Sequence, residues 1–119
     1  MTPKIYSIKK LNEIGQGDPA FVQDMLISFL GNVNDAIKKI NHFRSDDNWN
    51  GIAEVAHKLA SNFAYLESKN LQTIASDIEK SVLIEKNLSG IADKTDKLCN
   101  DTILLVEQLK NDFDFLSTN

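Results

Sequence analysis

The 119 residues include one cysteine, two prolines, five glycines and two histidines. The single cysteine, Cys99, excludes an internal disulfide, and the expected compartment is the cytoplasm. So few histidines and cysteines leave little material for a metal site. Long apolar runs are missing too. Near the C-terminus the longest is Ile103-Leu104-Leu105-Val106, far short of the roughly 20 residues that span a bilayer. Lys4, Lys9 and Lys10 interrupt any signal-peptide-like apolar stretch. Basic runs are also absent: 13 Lys and Arg stand against 17 Asp and Glu, a net charge of -4. Neither nucleic acid nor an anionic membrane is an expected partner. No segment alternates with period two for long enough to form a strand. Any chemistry must come from very few residues.

What is present is helical periodicity. The 42% of hydrophobic residues suffices for one core, and residues 1–119 read as one domain. A short amphipathic stretch, Ser7 to Ile14, ends at Gly15, with Ser7 as its expected cap. Asp18-Pro19 then reads as N-cap and first helical position. Apolar residues from Val22 through Met25, Leu26, Phe29, Leu30, Val33, Ala36, Ile37 and Ile40 to Phe43 keep helical spacing over about seven turns. Gly31 lies inside that run, where glycine costs about 1 kcal/mol relative to alanine. A third helix is expected from Asp47 or Asn48, with Ile52, Val55, Leu59, Phe63 and Leu66 as its stripe. A fourth covers Ser68 to Lys86, Asn87 to Gly90 connects, and the last runs from Ile91 to Phe115. The expected fold is all-α: an antiparallel up-down four-helix bundle with a short extra N-terminal helix.

His57 faces away from its own helix's apolar stripe. At about 100° per residue, Val55, Leu66, Leu59, Ile52 and Phe63 fall between about 160° and 240° from it. Its imidazole is therefore expected in solvent. The neighbours at helical spacing are Ala53, Ala60, Ser61 and Ala64, all small. A solvated face usually carries longer polar side chains, so this pattern reads as a platform that leaves the ring open to a macromolecule. Alanine's high helix propensity is the competing explanation for the same pattern. Glu54, near 60°, and Lys58, near 100°, are either solubility charges or part of the site. An imidazole in water is substantially neutral at pH 7 and then has a free nitrogen lone pair that can attack phosphorus. Phosphoryl transfer needs chiefly alignment and charge compensation. A rigid helix supplies alignment; the partner must bring Mg²⁺ and most of the compensation.

The string Ala56-His57-Lys58-Leu59-Ala60-Ser61-Asn62-Phe63 resembles the Ala-His-x-Leu-Lys-Gly-Ser pattern of histidine-containing phosphotransfer (HPt) domains. Gly17 to Val22, Met25 to Leu30, and Leu71-x-x-Ile74-Ala75-x-x-Ile78-Glu79 are similar to flanking segments of that family. The resemblance covers about residues 5 to 115. It implies a phosphorelay carrier without autonomous catalytic activity. By carry-over, His57 accepts a phosphoryl group from a receiver-domain aspartyl phosphate and passes it to another receiver. The implied partners are response-regulator receiver domains and a hybrid sensor histidine kinase. The chain is expected as a monomer that binds no cofactor of its own. Two positions depart from the family pattern. Ala60 stands where the family commonly has lysine, and Ser61 where it commonly has glycine. Losing the cation removes a charge-assisted contact to phosphoryl oxygens. Lys58 is a poorly aimed substitute, and the Ser61 hydroxyl offers one weaker hydrogen bond. Transfer is still expected, with an altered rate or phosphohistidine lifetime.

Two rival readings differ in kind. The first is a docking or dimerisation module that keeps the bundle without phosphotransfer, which the Ala60 departure favours. The second is a metal-binding bundle, since Glu54-Val55-Ala56-His57 is a Glu-x-x-His. Di-iron bundles use that motif twice, facing inward; here it occurs once and faces out. The remaining residues read as structure. His42 is placed on the surface near a helix end, and Cys99 is taken as a partly buried, inert thiol. Trp49 is a packing anchor, and Phe113 and Phe115 are core and edge contacts. Ile5, Tyr6, Ile8 and Leu11 either cover the bundle end or are shared with a partner.

Overall fold

The computed structural model describes residues 3–117. Its helices are α1 (Lys9–Ile14), α2 (Pro19–Ser45), α3 (Trp49–Tyr65), α4 (Lys69–Glu79) and α5 (Ile91–Asp112). A π turn, Lys80–Ile84, extends α4, and a 3-10 turn, Asp114–Leu116, follows α5. Among the described residues there is no strand. α3 packs against α2 and α4, α4 against α5, and α5 against α2, while α1 lies on α2. This is the expected all-α bundle with its short N-terminal helix.

Local chemistry sets the helix starts. Asp18 caps α2 by accepting from the Ala20 N–H at 3.0 Å, and Pro19 occupies the first position. Asn48 caps α3 by accepting from the Gly51 N–H at 2.9 Å. Asp47 and Glu67 take left-handed φ values of 51° and 53° just past α2 and α3. The following N–H groups then bond back to the Phe43 and Phe63 carbonyls at 2.8 and 2.9 Å. These closures satisfy helix-end carbonyls and reverse the chain within a few residues. α2 and α3 approach closely at this end. A Cβ on Gly51 would lie 2.9 Å from the Phe43 ring.

The core draws on every long helix. Leu26, Val33, Ile40, Ile52, Phe63, Ala75, Ile78, Leu98, Leu105 and Leu109 are all fully buried or nearly so. Phe29 and Phe63 meet edge-to-face, with centroids 6.4 Å apart. Trp49 is half-buried, with the Arg44 guanidinium 5.8 Å over its ring. Phe113 and Phe115 pack against the core, and Cys99 is half-buried, which raises its thiol pKa.

Three boundaries differ from the sequence reading. Ser7 does not cap α1. Ile8 precedes the first turn, and the Ser7 hydroxyl accepts from the Lys9 N–H at 3.2 Å. The fourth helix is α-helical only to Glu79 and continues as the π turn. Apolar spacing did not show this, because Ser81 and Val82 still turn inward. The last helix stops at Asp112, where Phe113 goes extended, and the chain turns so that Leu116 is buried.

Residues 3–8 form a strap across the bundle end. The Ser7 N–H donates to the Leu66 carbonyl at 2.8 Å, and the Ser68 hydroxyl to the Ile5 carbonyl at 2.8 Å. Gln108 accepts from the Ile5 N–H at 2.9 Å and donates to the Pro3 carbonyl at 2.8 Å. Lys4 donates to both Asp112 carboxylate oxygens at 2.6 Å, and the Tyr6 hydroxyl donates to the same carboxylate. Leu11 is buried, and Ile5, Tyr6 and Ile8 pack against the core, so these residues cover the bundle end. The bonds from Lys4 and Tyr6 hold the Asp112 pKa below the ordinary carboxylate range. A lowered carboxylate pKa adds stability above the unfolded value, near 3.9, and that stability is lost as pH falls through the lowered value. Wild type is therefore expected to melt above Asp112→Asn at pH 7, and the gap is expected to narrow as pH falls below the unfolded carboxylate value. Melting curves from pH 7 to 2.5 check this; a gap constant with pH would contradict it.

Candidate functional site

His57 sits in the middle of α3, and its side chain is 69% exposed, as its angular position predicts. One flank of α3 faces α2. There Glu54, Lys58 and Asn62, with Asn32, Asp35 and Lys39 of α2, line a groove of about 440 Å³. The opposite flank faces α4. There the small residues do not form the open platform expected from the sequence. Ala53 is completely buried, as is Ala56. Ala60 and Ala64 are half-buried, and only Ser61 is exposed. A helix gripped from both sides buries a wider arc than its apolar stripe marks. Here that arc runs past Ile52 and Phe63 to Ala56 and Ala53. The π turn contributes, because it too packs against α3. The alanines thus let α4 approach α3 closely, and the close approach brings a carboxylate to the histidine.

That carboxylate is Glu79, the last residue of α4. Its Oε2 pairs with Nδ1 of His57. A carboxylate only accepts hydrogen bonds, so a hydrogen shared within this ion-pair contact would sit on Nδ1. The lone pair of the neutral ring is then on Nε2. Among the described residues no hydrogen bond or ion pair engages Nε2, and no other ionic partner engages Glu79. The Glu79 side chain is 30% exposed, half sheltered between the helices. Sequence reasoning included Glu79 in a family-like segment but gave it no role. The missing signal is tertiary: Glu79 is 22 positions from His57, and only the antiparallel hairpin brings them together.

The other candidates take different places. Lys58 and Glu54 belong to the α2-side groove, on the flank opposite Ala60 and Glu79. No cation bonds to the His57–Glu79 pair among the described residues. His42 is exposed at the end of α2, 3.9 Å from the Asp46 carboxylate. Among the described residues no three His, Cys, Asp or Glu side chains gather in a metal-holding group. No helix among them is long and apolar enough to cross a membrane.

A family model described as Hpt domain matches residues 24–114, well over half of the chain and spanning α3, α4, α5 and most of α2. The chain belongs to the Hpt domain family. Members of this family are phosphotransfer carriers of two-component phosphorelays rather than catalytic enzymes, and they interact with receiver domains and kinases. No curated protein and no solved structure matches the chain in the parallel comparisons.

Proposed function

We propose that His57 is the phosphoacceptor of a phosphorelay carrier, taking a phosphoryl group from one receiver domain and delivering it to another. The observation that carries this reading is the state of its ring: Nδ1 is held by Glu79, and Nε2 is free on an exposed, rigid helix. In the step, the Nε2 lone pair attacks phosphorus of the receiver's aspartyl phosphate. The N–P bond forms, the P–O bond to the aspartyl carboxyl breaks, and the receiver recovers a carboxylate. The Nδ1 hydrogen stays on Glu79's side of the ring throughout, so no proton must be removed from the attacking atom. Return of the group to a second receiver reverses these changes.

The receiver supplies Mg²⁺ and the cations that compensate phosphoryl charge. With Ala60 beside the ring, this dependence on the partner is larger than in a site that carries its own lysine. Ser61, exposed one turn along α3, and Ala64 beyond it keep that side low enough for a partner to approach. Glu54 and Lys58 lie at the rim towards α2 as docking charges, and Lys58 has the less direct line to the phosphate. The carrier acts in the cytoplasm as a monomer.

Incubation with a panel of phosphorylated receivers tests the assignment. Wild type is expected to acquire an acid-labile, alkali-stable phosphoryl group, and His57→Gln to acquire none. Labelling that survives His57→Gln would displace the acceptor to another residue. A wild type that no receiver labels, yet several bind, would instead support the docking module that Ala60 favours.

A further inference from the structure

We infer that the bundle end holding residues 3–8 is a peptide-recognition site. Its ligand in trans is a segment of another protein that presents a lysine and a tyrosine two residues apart. The chain's own strap occupies the site until that segment displaces it. The inference is independent of the reading of His57.

The strap's backbone is read at alternate residues. Pro3 offers its carbonyl, Ile5 its N–H and its carbonyl, and Ser7 its N–H. The Gln108 amide takes the Pro3 carbonyl at 2.8 Å and the Ile5 N–H at 2.9 Å. The Ser68 hydroxyl takes the Ile5 carbonyl at 2.8 Å, and the Leu66 carbonyl takes the Ser7 N–H at 2.8 Å. Main-chain bonds of this kind hold a segment whatever its sequence, and contacts to alternate side chains then select the sequence. Here the selecting group is Asp112, the last residue of α5. Lys4 donates to both of its oxygens at 2.6 Å, and the Tyr6 hydroxyl donates to the same carboxylate. The site therefore distinguishes Lys-x-Tyr by a charge-assisted bond and a phenol bond to one anion.

The groups that read the strap belong to the bundle, and their placement makes sense only with a ligand. Gln108 lies between Leu105 and Leu109 in α5 and is 7% exposed. A core position favours an apolar side chain, because a buried amide needs hydrogen-bond partners. Among the described residues, the Gln108 amide finds them only in Pro3 and Ile5. Ser68 is 2% exposed and stands at the N-cap of α4. A serine there ordinarily accepts from an N–H of its own helix. Ser68 makes no such bond, and its hydroxyl turns to the strap instead. Two buried polar side chains from different parts of the chain are thus aimed at one short segment. That segment does not fill its seat. A cavity of about 490 Å³ adjoins it, bordered by Glu67, Asn70, Leu71, Asp101 and Leu104.

All of these contacts are non-covalent and confined to the segment, so a segment of another protein makes them equally well. The strap's advantage is its tether, which gives it a high effective concentration at the site. A partner enters when its own segment binds more tightly or when the strap is weakened. A second copy of the chain has its strap seated in its own bundle, so the ligand in trans belongs to a different protein.

The test uses the full chain with a weakened strap, Lys4→Ala/Tyr6→Ala. The probe is a fluorescent peptide of residues 3–8, blocked at both ends, and anisotropy reports its binding. The weakened-strap chain is expected to bind the peptide at least about tenfold more tightly than wild type, in which the intact strap competes. Adding Gln108→Leu to that chain is expected to weaken binding about tenfold, as is replacing both lysine and tyrosine of the peptide by alanine. Circular dichroism is expected to match wild type throughout. If the double variant does not fold, Lys4→Ala alone makes the same comparison. No binding by the weakened-strap chain, or equal binding of the native and substituted peptides, would overturn the inference. A concentration-dependent dimer of wild type in sedimentation would also overturn it, because the site would then serve strap exchange between copies.

Discussion

Replacing Glu79 by alanine is expected to slow phosphoryl transfer at His57 by about 10- to 100-fold, the loss typical when a histidine's orienting partner is removed. The argument starts from the ring. A neutral imidazole has two tautomers, and only the one with hydrogen on Nδ1 presents a lone pair at Nε2. The Glu79 carboxylate lies in ion-pair contact with Nδ1, which favours hydrogen on that nitrogen and holds the ring's orientation. Without it, the ring samples both tautomers and more than one rotamer in solvent, and fewer encounters find Nε2 aligned. A hundredfold loss corresponds to about 2.7 kcal/mol of transition-state stabilisation. Glu79→Gln separates geometry from charge, because its side-chain carbonyl still accepts from Nδ1. Its expected loss is about tenfold or less. Nitrogen-15 shifts of the ring give a readout that a purely structural role would not move. Wild type and Glu79→Gln are expected to show one dominant tautomer, and Glu79→Ala a mixture. An unchanged rate in Glu79→Ala, or a wild type with hydrogen on Nε2, would remove Glu79 from the mechanism.

The same pair shows where sequence reading reaches its limit. The outward direction of His57 was legible, because it depends only on helical periodicity within one segment. So were the four long helices, the Asp18-Pro19 start, the Asn48 start and Trp49's packing role, each signalled by neighbours in the chain. The ends of α4 and α5 were not. A π turn keeps the inward pattern of Ser81 and Val82 that an α-helix would also give. Glu79's role was hidden for a related reason. On α4 alone it is one more polar residue, and nothing local distinguishes it from Asp77 or Lys80. It meets His57 only when α3 and α4 are placed side by side. The family-like string around His57 pointed to the proposed phosphoacceptor, and the hairpin brings Glu79 to it.

The alanines carry the second large effect. Ala53 was read as an exposed platform beside the histidine, but it is completely buried. The two placements predict opposite results for Ala53→Leu. On an exposed helix face, leucine for alanine changes stability by less than about 0.5 kcal/mol. At a completely buried position on α3, three extra carbons have no space, and overpacking costs about 1–3 kcal/mol. Urea unfolding is expected to show this loss for Ala53→Leu and almost none for Ser61→Leu, at the exposed position. The stability loss should carry a functional signature. Spreading α3 from α4 near Ala53 moves the π turn, and with it the end of α4 that holds Glu79. Ala53→Leu is therefore expected to reproduce part of the Glu79→Ala tautomer mixing and rate loss, although residue 53 touches neither ring nitrogen. Ser61→Leu should leave the tautomer unchanged and instead raise the receiver concentration needed for transfer, because it obstructs approach rather than orientation. Equal stabilities for Ala53→Leu and wild type would return Ala53 to the surface. A destabilised Ala53→Leu with an undisturbed tautomer would separate helix spacing from the positioning of Glu79.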